Sequence, residues 1–212
     1  MAKVKVKKQS TFIDMTAMSD VTVLLLTFFM LTSTFIKKEP VQVTTPGSVS
    51  EIKIPETNIL TVLIEPKGDV FLSLDKQEDK WRVLEQVGKE YKDSKSGQPY
   101  EFTEEEKYKF SLMPSFGVPI ERMKEFLTLK TDEQDKIILS LGGIPTDSIN
   151  NQFKSWVKSS REVNPKLVVA IKADATTPYA TVKNVMNTLQ ELSINRYNLI
   201  TSLKVATAGS HP

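Results

Sequence analysis

The sequence predicts a single N-terminal transmembrane helix followed by an α/β domain. Three observations carry this. Residues 17–36 form one apolar run of membrane-spanning length. Beyond it, short β-type runs alternate with segments of helical periodicity. The chain of 212 residues is long enough for one modest domain in addition to such an anchor.

Composition removes several function classes. Lys and Arg total 28 against 26 for Asp and Glu, a net charge of +2, so the basic surplus that nucleic-acid binding needs is missing. There is no cysteine, hence no disulfide and no thiolate chemistry. The one histidine, His211, reads as a solvated tail residue. A metal site built from His and Cys clusters is therefore not expected. No Gly-rich phosphate loop and no G-x-S-x-G occurs, and GGIP at 142–145 is too short to stand for either. With 26 acids, paired carboxylates are everywhere and none is specific. The expectation is a protein that is not an enzyme and holds no cofactor and no metal.

The N-terminal tail, residues 1–16, opens MAKVKVKK. From Val21 to Ile36 there are 16 residues without a charge; counting from Ala17 gives 20, with Asp20 the only ionisable member. A bilayer needs about 20 mostly apolar residues at ~1.5 Å each. The run therefore spans only if the turn holding Asp20 belongs to the helix or lies at the interface. Lys3, Lys5, Lys7 and Lys8 precede it and Lys37 and Lys38 follow. Four lysines against two place the N-terminus in the cytoplasm and residues 37–212 outside. A cleaved signal peptide would need a small-residue site, which LTSTFIKK lacks. A buried soluble helix would need a partner large enough to enclose VTVLLLTFFML, which is apolar on all faces.

Asp20 is the anomaly of this run. As the residue before Val21 it fits an interfacial N-cap. Inside the span, a charged carboxylate costs about 2.5–3.5 kcal/mol or more, so such groups face a protein interior and are usually functional. On a helix it shares a face with Thr27, Leu31 and Thr34. Asp14 reads as a solvated residue before the span.

Residues 37–58, with three prolines and several Ser and Thr, read as an extended linker with a short strand at 51–54. The domain follows at 59–205. ILTVLIE (59–65) and DVFLSL (69–74) flank the turn PKG as a β-hairpin. Residues 75–145 read as a helical insertion. There Trp81, Leu84, Val87 and Tyr91 recur at helical intervals, PIERMKEFL adds a short apolar stripe, and EEEKYK and DEQDK read as solvated charge runs. Ile149, Phe153, Trp156 and Val157 predict a helix behind Thr146 or Asp147 as cap. KLVVAIKA (166–173) is a strand. The next helix takes Thr177 as cap and Pro178 as its first residue, with Val182, Val185, Met186, Leu189 and Leu192 in one stripe. YNLITSLKV (197–205) closes as a strand, and 206–212 form a tail. The aromatic and Met stripes have the spacing of core.

The stretch I-D-M-T-A-M-S-D-V-T-V-L-L-L-T-F-F-M (13–30) resembles the ExbD/TolR family, whose segment reads roughly I-N-V-T-P-F-I-D-V-x-L-V-L-L-I-I-F-M. The match sets Asp20 on the family's intramembrane aspartate, with Met30 ten residues later and Ile13 and Thr16 also aligned. The family's Pro is Ala17 here. FID at 12–14 repeats the family's letters six residues too early. EIKIP and VVAIKADATTPYATVKNVMNTLQELSINRYNLIT resemble the family's linker and its C-terminal strand, A-D, helix and final strand. The resemblance covers about 13–74 and 145–205.

That resemblance implies a single-pass protein of the bacterial inner membrane. Its periplasmic α/β domain is a small mixed sheet with helices packed on one face. It implies a dimer inside a pentameric ExbB/TolQ-type polytopic pore, in contact with membrane lipid. Asp20 would carry protons, and the proton motive force would act on a TonB-like or TolA-like partner. Both an ExbD-like role in nutrient uptake and a TolR-like role in envelope maintenance fit. The contrasting reading is a signal-anchored periplasmic binding or scaffold domain without proton transport.

Overall fold

A computed structural model describes residues 15–33, 41, 43–45, 47–48, 55, 57–92, 97–147, 150–200 and 202–203. The chain divides into two units, Met1–Lys37 and Lys38–Pro212.

The first unit contributes one helix, α1 (Met15–Thr32). Its 18 residues rise ~27 Å at ~1.5 Å each, close to the ~30 Å hydrocarbon core of a bilayer. None of its side chains is buried. The helix starts two residues before the expected span. Its last residue is Thr32, and Ser33 N–H closes the final turn on the Phe29 carbonyl at 2.9 Å. Residues 34–36 of the expected span lie outside the described residues. Thr22, Thr27 and Thr32 each return their hydroxyl to a carbonyl of their own helix, at Met18, Leu24 and Phe28, 2.8–2.9 Å away. Three polar side chains thus satisfy their hydroxyl donors within the helix itself.

The second unit is built on a mixed sheet. The hairpin forms as expected: β2 (Ile59–Ile64) and β3 (Val70–Leu74) pair antiparallel, Leu60 opposite Leu74 and Ile64 opposite Val70. Gly68, at φ +93°, takes the left-handed position of the turn, which favours glycine. β4 (Val168–Ala173) lies parallel to β2, and β5 (Tyr197–Leu199) parallel to β4, giving the order β3-β2-β4-β5. A parallel neighbour needs a long crossover, and the helical segments supply both.

Three helices cover the sheet: α2 (Gln77–Glu90), α6 (Gln152–Val163) and α7 (Tyr179–Glu191), with α2 against α6 and α6 against α7. On β2, Leu60, Val62 and Ile64 alternate onto one face and are fully buried, while Thr61 opposite is half-buried. Phe153, Trp156 and Val157 of α6 are buried as their spacing predicts. In α7, Val185 and Leu189 are buried, and Val182, Met186 and Leu192 pack against the core from its margin.

Four local expectations are corrected. The cap of α6 is Asn151, whose side chain accepts the Lys154 N–H at 3.0 Å, so Thr146 and Asp147 fall before the helix; Ile149 lies outside the described residues. The cap of α7 is Pro178, with Tyr179 first, because the Thr177 hydroxyl is spent on the carbonyls of Ile64 and Glu65. The buried face of α2 is Lys80, Val83, Leu84, Val87 and Gly88. Trp81 stays half-exposed beside the Arg82 guanidinium, 5.4 Å from its ring centre, and Tyr91 lies just past the helix end. The closing strand is two strands: after β5 the chain changes sheet, and β6 (Ser202–Leu203) pairs parallel with β1 (Gly47–Ser48).

The segment 75–145 is helical but is no appendage. Besides α2 it holds α3 (Glu104–Leu112), α4 (Ile120–Thr128) and α5 (Thr131–Ile137). Thr103 and Glu106 form a capping box on α3, so the acidic run EEEKYK opens a helix at its favourable end. Phe110 and Phe116 from this segment stack with Trp156 of α6, ring centres 4.8–5.9 Å apart, all fully buried. Phe116 also exchanges two backbone hydrogen bonds with Leu72, and Ile144 N–H bonds the Val70 carbonyl. These close the outer edge of β3, an edge that would otherwise be open to another strand.

Candidate functional site

Asp20 is the sixth residue of α1, in its second turn, with no acidic residue in the first. A capping residue precedes the helix; Asp20 follows five helical residues. The N-cap reading of Asp20 therefore fails for this helix. Asp20 lies about 5 Å from the middle of α1 along its axis, at ~1.5 Å per residue. Thr27 and Leu31 fall on its face, seven and eleven residues on. Thr34 and Asp14 lie outside the described residues. The position is built by the helix alone: the run 15–32 has neither Gly nor Pro, so nothing interrupts the turn that holds the acid.

In the second unit a different carboxylate is organised, one that periodicity could not expose. Asp174 follows β4 in the A-D-A-T-T loop. One oxygen accepts Thr176 N–H at 2.9 Å and Thr176 O–H at 2.7 Å; the other accepts Thr44 N–H at 2.9 Å. Ala175 N–H returns a bond to the Thr44 carbonyl at 3.0 Å. The Thr176 hydroxyl, then the Thr176 and Thr44 amides, hold the Asp174 carboxyl below its usual range. Thr44 belongs to the segment expected to be an extended linker. Val41 of that segment is fully buried, and Gly47–Ser48 form β1. The linker is thus docked along part of its length, and the strand expected at 51–54 lies outside the described residues. Nearby, Glu65 is pushed up by burial and by Asp69, with Lys67 opposing.

Among the described residues, no group of three His, Cys, Asp or Glu side chains gathers that could hold a metal. The arrangement offers an isolated carboxylate in an apolar helix and an α/β unit that buries Val41 and holds Thr44.

The family described as Biopolymer transport protein ExbD/TolR matches residues 7–113 and 100–204. No match is found among curated proteins or among solved structures. Members of that family are transport-associated, non-enzymatic subunits that work with ExbB/TolQ partners. With α1 as its one helix of spanning length and composition among the described residues, this chain is a single-pass membrane protein. The match runs from the basic tail through the apolar helix to the last strands, and the chain belongs to the ExbD/TolR family of biopolymer transport proteins.

Proposed function

We propose that this subunit is part of an inner-membrane proton-channel motor in which Asp20 takes up and releases the transported proton. The observation that carries the reading is the place of Asp20 inside α1, past the first turn of an otherwise uncharged helix. A carboxylate there is costly unless a protein interior or a water-filled path receives it. Such a path is what an ExbB/TolQ-type pentamer around two copies of α1 would supply. Each proton crossing releases about 2.3 kcal/mol per 100 mV. Gain and loss of charge at Asp20 would then bias the rotation or shift of α1 within its partner.

In this reading residues 1–16 are the cytoplasmic tail and the α/β unit is periplasmic. The docked linker supports transmission to a TonB-like or TolA-like protein. Eight residues of sequence, 33–40, lie between the end of α1 and Val41.

The experiment is Asp20→Asn in cells, which keeps size and polarity but removes ionisation. Partner co-purification should persist while energy-dependent uptake or envelope integrity is lost. A variant with full activity at normal expression would return α1 to the role of a plain anchor.

A further inference from the structure

The α/β unit holds a cavity that the membrane reading does not use. It lies where α3 and α4 end and α5 begins, is open to solvent on one side, and has a volume of about 360 Å³. That is the small end of the ~300–1,000 Å³ range of small-molecule sites. Leu112, Met113, Phe126, Leu129 and Ile138 give it apolar walls, and Leu112 stays 48% exposed.

Two helix C-termini meet at this wall, and free carbonyls there would favour a cation. The chain satisfies them from within. The buried Lys80 ammonium donates to the carbonyls of Met113 at 2.6 Å and Ser111 at 3.4 Å. Lys109 donates to the Leu127 carbonyl at 3.3 Å. The Gln134 amide donates to the Phe126 and Leu129 carbonyls at 3.0 and 3.2 Å. With those carbonyls taken, the charges lining the cavity are Lys109 and Lys130 against Asp135. None of these three forms a salt bridge among the described residues. Lys109 keeps donors to spare, since an ammonium has three.

Ser115 completes the wall. It is 2% exposed, and its hydroxyl has no hydrogen-bond partner. That hydroxyl is closed to solvent, so Ser115 gives the wall packing and offers an occupant no hydrogen bond.

We propose that this cavity binds a small amphipathic carboxylate. Its apolar body lies against Met113, Phe126 and Ile138, and its anionic head meets Lys109 and Lys130. The site is independent of Asp20, and its occupant is a soluble molecule rather than a proton.

The test uses the full chain in lipid nanodiscs with ¹³C-methyl methionine, titrated with octanoate, octanol and octylammonium. Met113 reports the cavity, Met123 and Met186 report folding, and Met15, Met18 and Met30 report uptake by the bilayer. Octanoate should move Met113 saturably. Octylammonium, octanol and the double variant Lys109→Gln, Lys130→Gln should each bind about tenfold more weakly, the loss of one charge-assisted hydrogen bond. Gln at 109 can still donate to Leu127, so that variant should fold. The proposal is overturned if Met113 does not move, if octanol or octylammonium binds as well as octanoate, or if Met113 moves only in step with Met15, Met18 and Met30. Saturable binding of an acidic apolar peptide with none by octanoate would equally overturn it, in favour of a partner segment.

Discussion

Asp174 accepts the backbone N–H of Thr44 at 2.9 Å across 130 residues of chain. One carboxylate at the end of β4 thereby fixes the segment that leads to the membrane helix. Its Asp174→Ala variant should release Thr44. Amide exchange around 41–45 should then rise, with the sheet amides unchanged. Protection at Thr44 equal to the parent's would show that the bond does not hold the segment.

The same contact sets a pH dependence. The folded Asp174 carboxyl lies below its ordinary 3.8. A group with a lowered folded value stabilises fully above its unfolded value and loses that contribution as pH falls through the folded one. The Thr44 contact should therefore hold at neutral pH and loosen only below roughly pH 4. Exchange at Thr44 followed from pH 7 to 3 checks this. Loosening that begins near pH 6 would contradict it.

Gly117 touches the core more closely than any side chain allows. A Cβ there would meet the Phe71 ring at 2.0 Å, and Phe71 is fully buried. Gly117→Ala should destabilise the α/β unit by about 2–3 kcal/mol, the cost of overpacking a rigid core. Thermal melting of the parent and variant measures it.

Phe116 joins the segment 75–145 to the rest of the domain through the Phe110–Trp156 stack and through its bonds to Leu72. Phe116→Ala should cost about 3–5 kcal/mol. A loss below about 1 kcal/mol, the scale of a surface change, would mean that the segment is peripheral after all.

The mixed sheet and its covering helices were legible where one signal dominates. The PKG hairpin, the Phe153–Trp156–Val157 stripe and the Val185–Leu189 stripe need only period and a turn. The misses have specific physical causes. Thr177 is a good cap by type, but its hydroxyl serves β2 instead. Lys80 is a charge on a buried face, so a pattern of apolar letters passes over it to Trp81. Residues 202–203 continue the letters of a strand while changing sheet. The acidic run after Thr103 carried a readable signature, T-x-x-E, that marks a helix start. At the membrane, Asp20 stood out as the single acid of its run, but whether it caps the helix or sits within it depends on where α1 begins. Letters alone left that open. Asp174 drew notice only as part of a resemblant motif, because its partner Thr44 is remote in sequence.

Orientation rests on the lysine bias around α1. An alkaline-phosphatase fusion after residue 60 should be active, and a reporter at the N-terminus should stay cytoplasmic. An inactive fusion would place the α/β unit on the wrong side for the proposed motor.

Proton flux decides the central proposal most directly. The subunit is reconstituted with its ExbB/TolQ-type partner in liposomes holding a pH dye, and a potential is imposed. Asp20→Asn should assemble normally, since it removes a charge from the span, yet conduct no protons above empty liposomes. Asp14→Asn, before the helix, should conduct as the parent does. Parental flux through Asp20→Asn would contradict the account and leave α1 as an anchor.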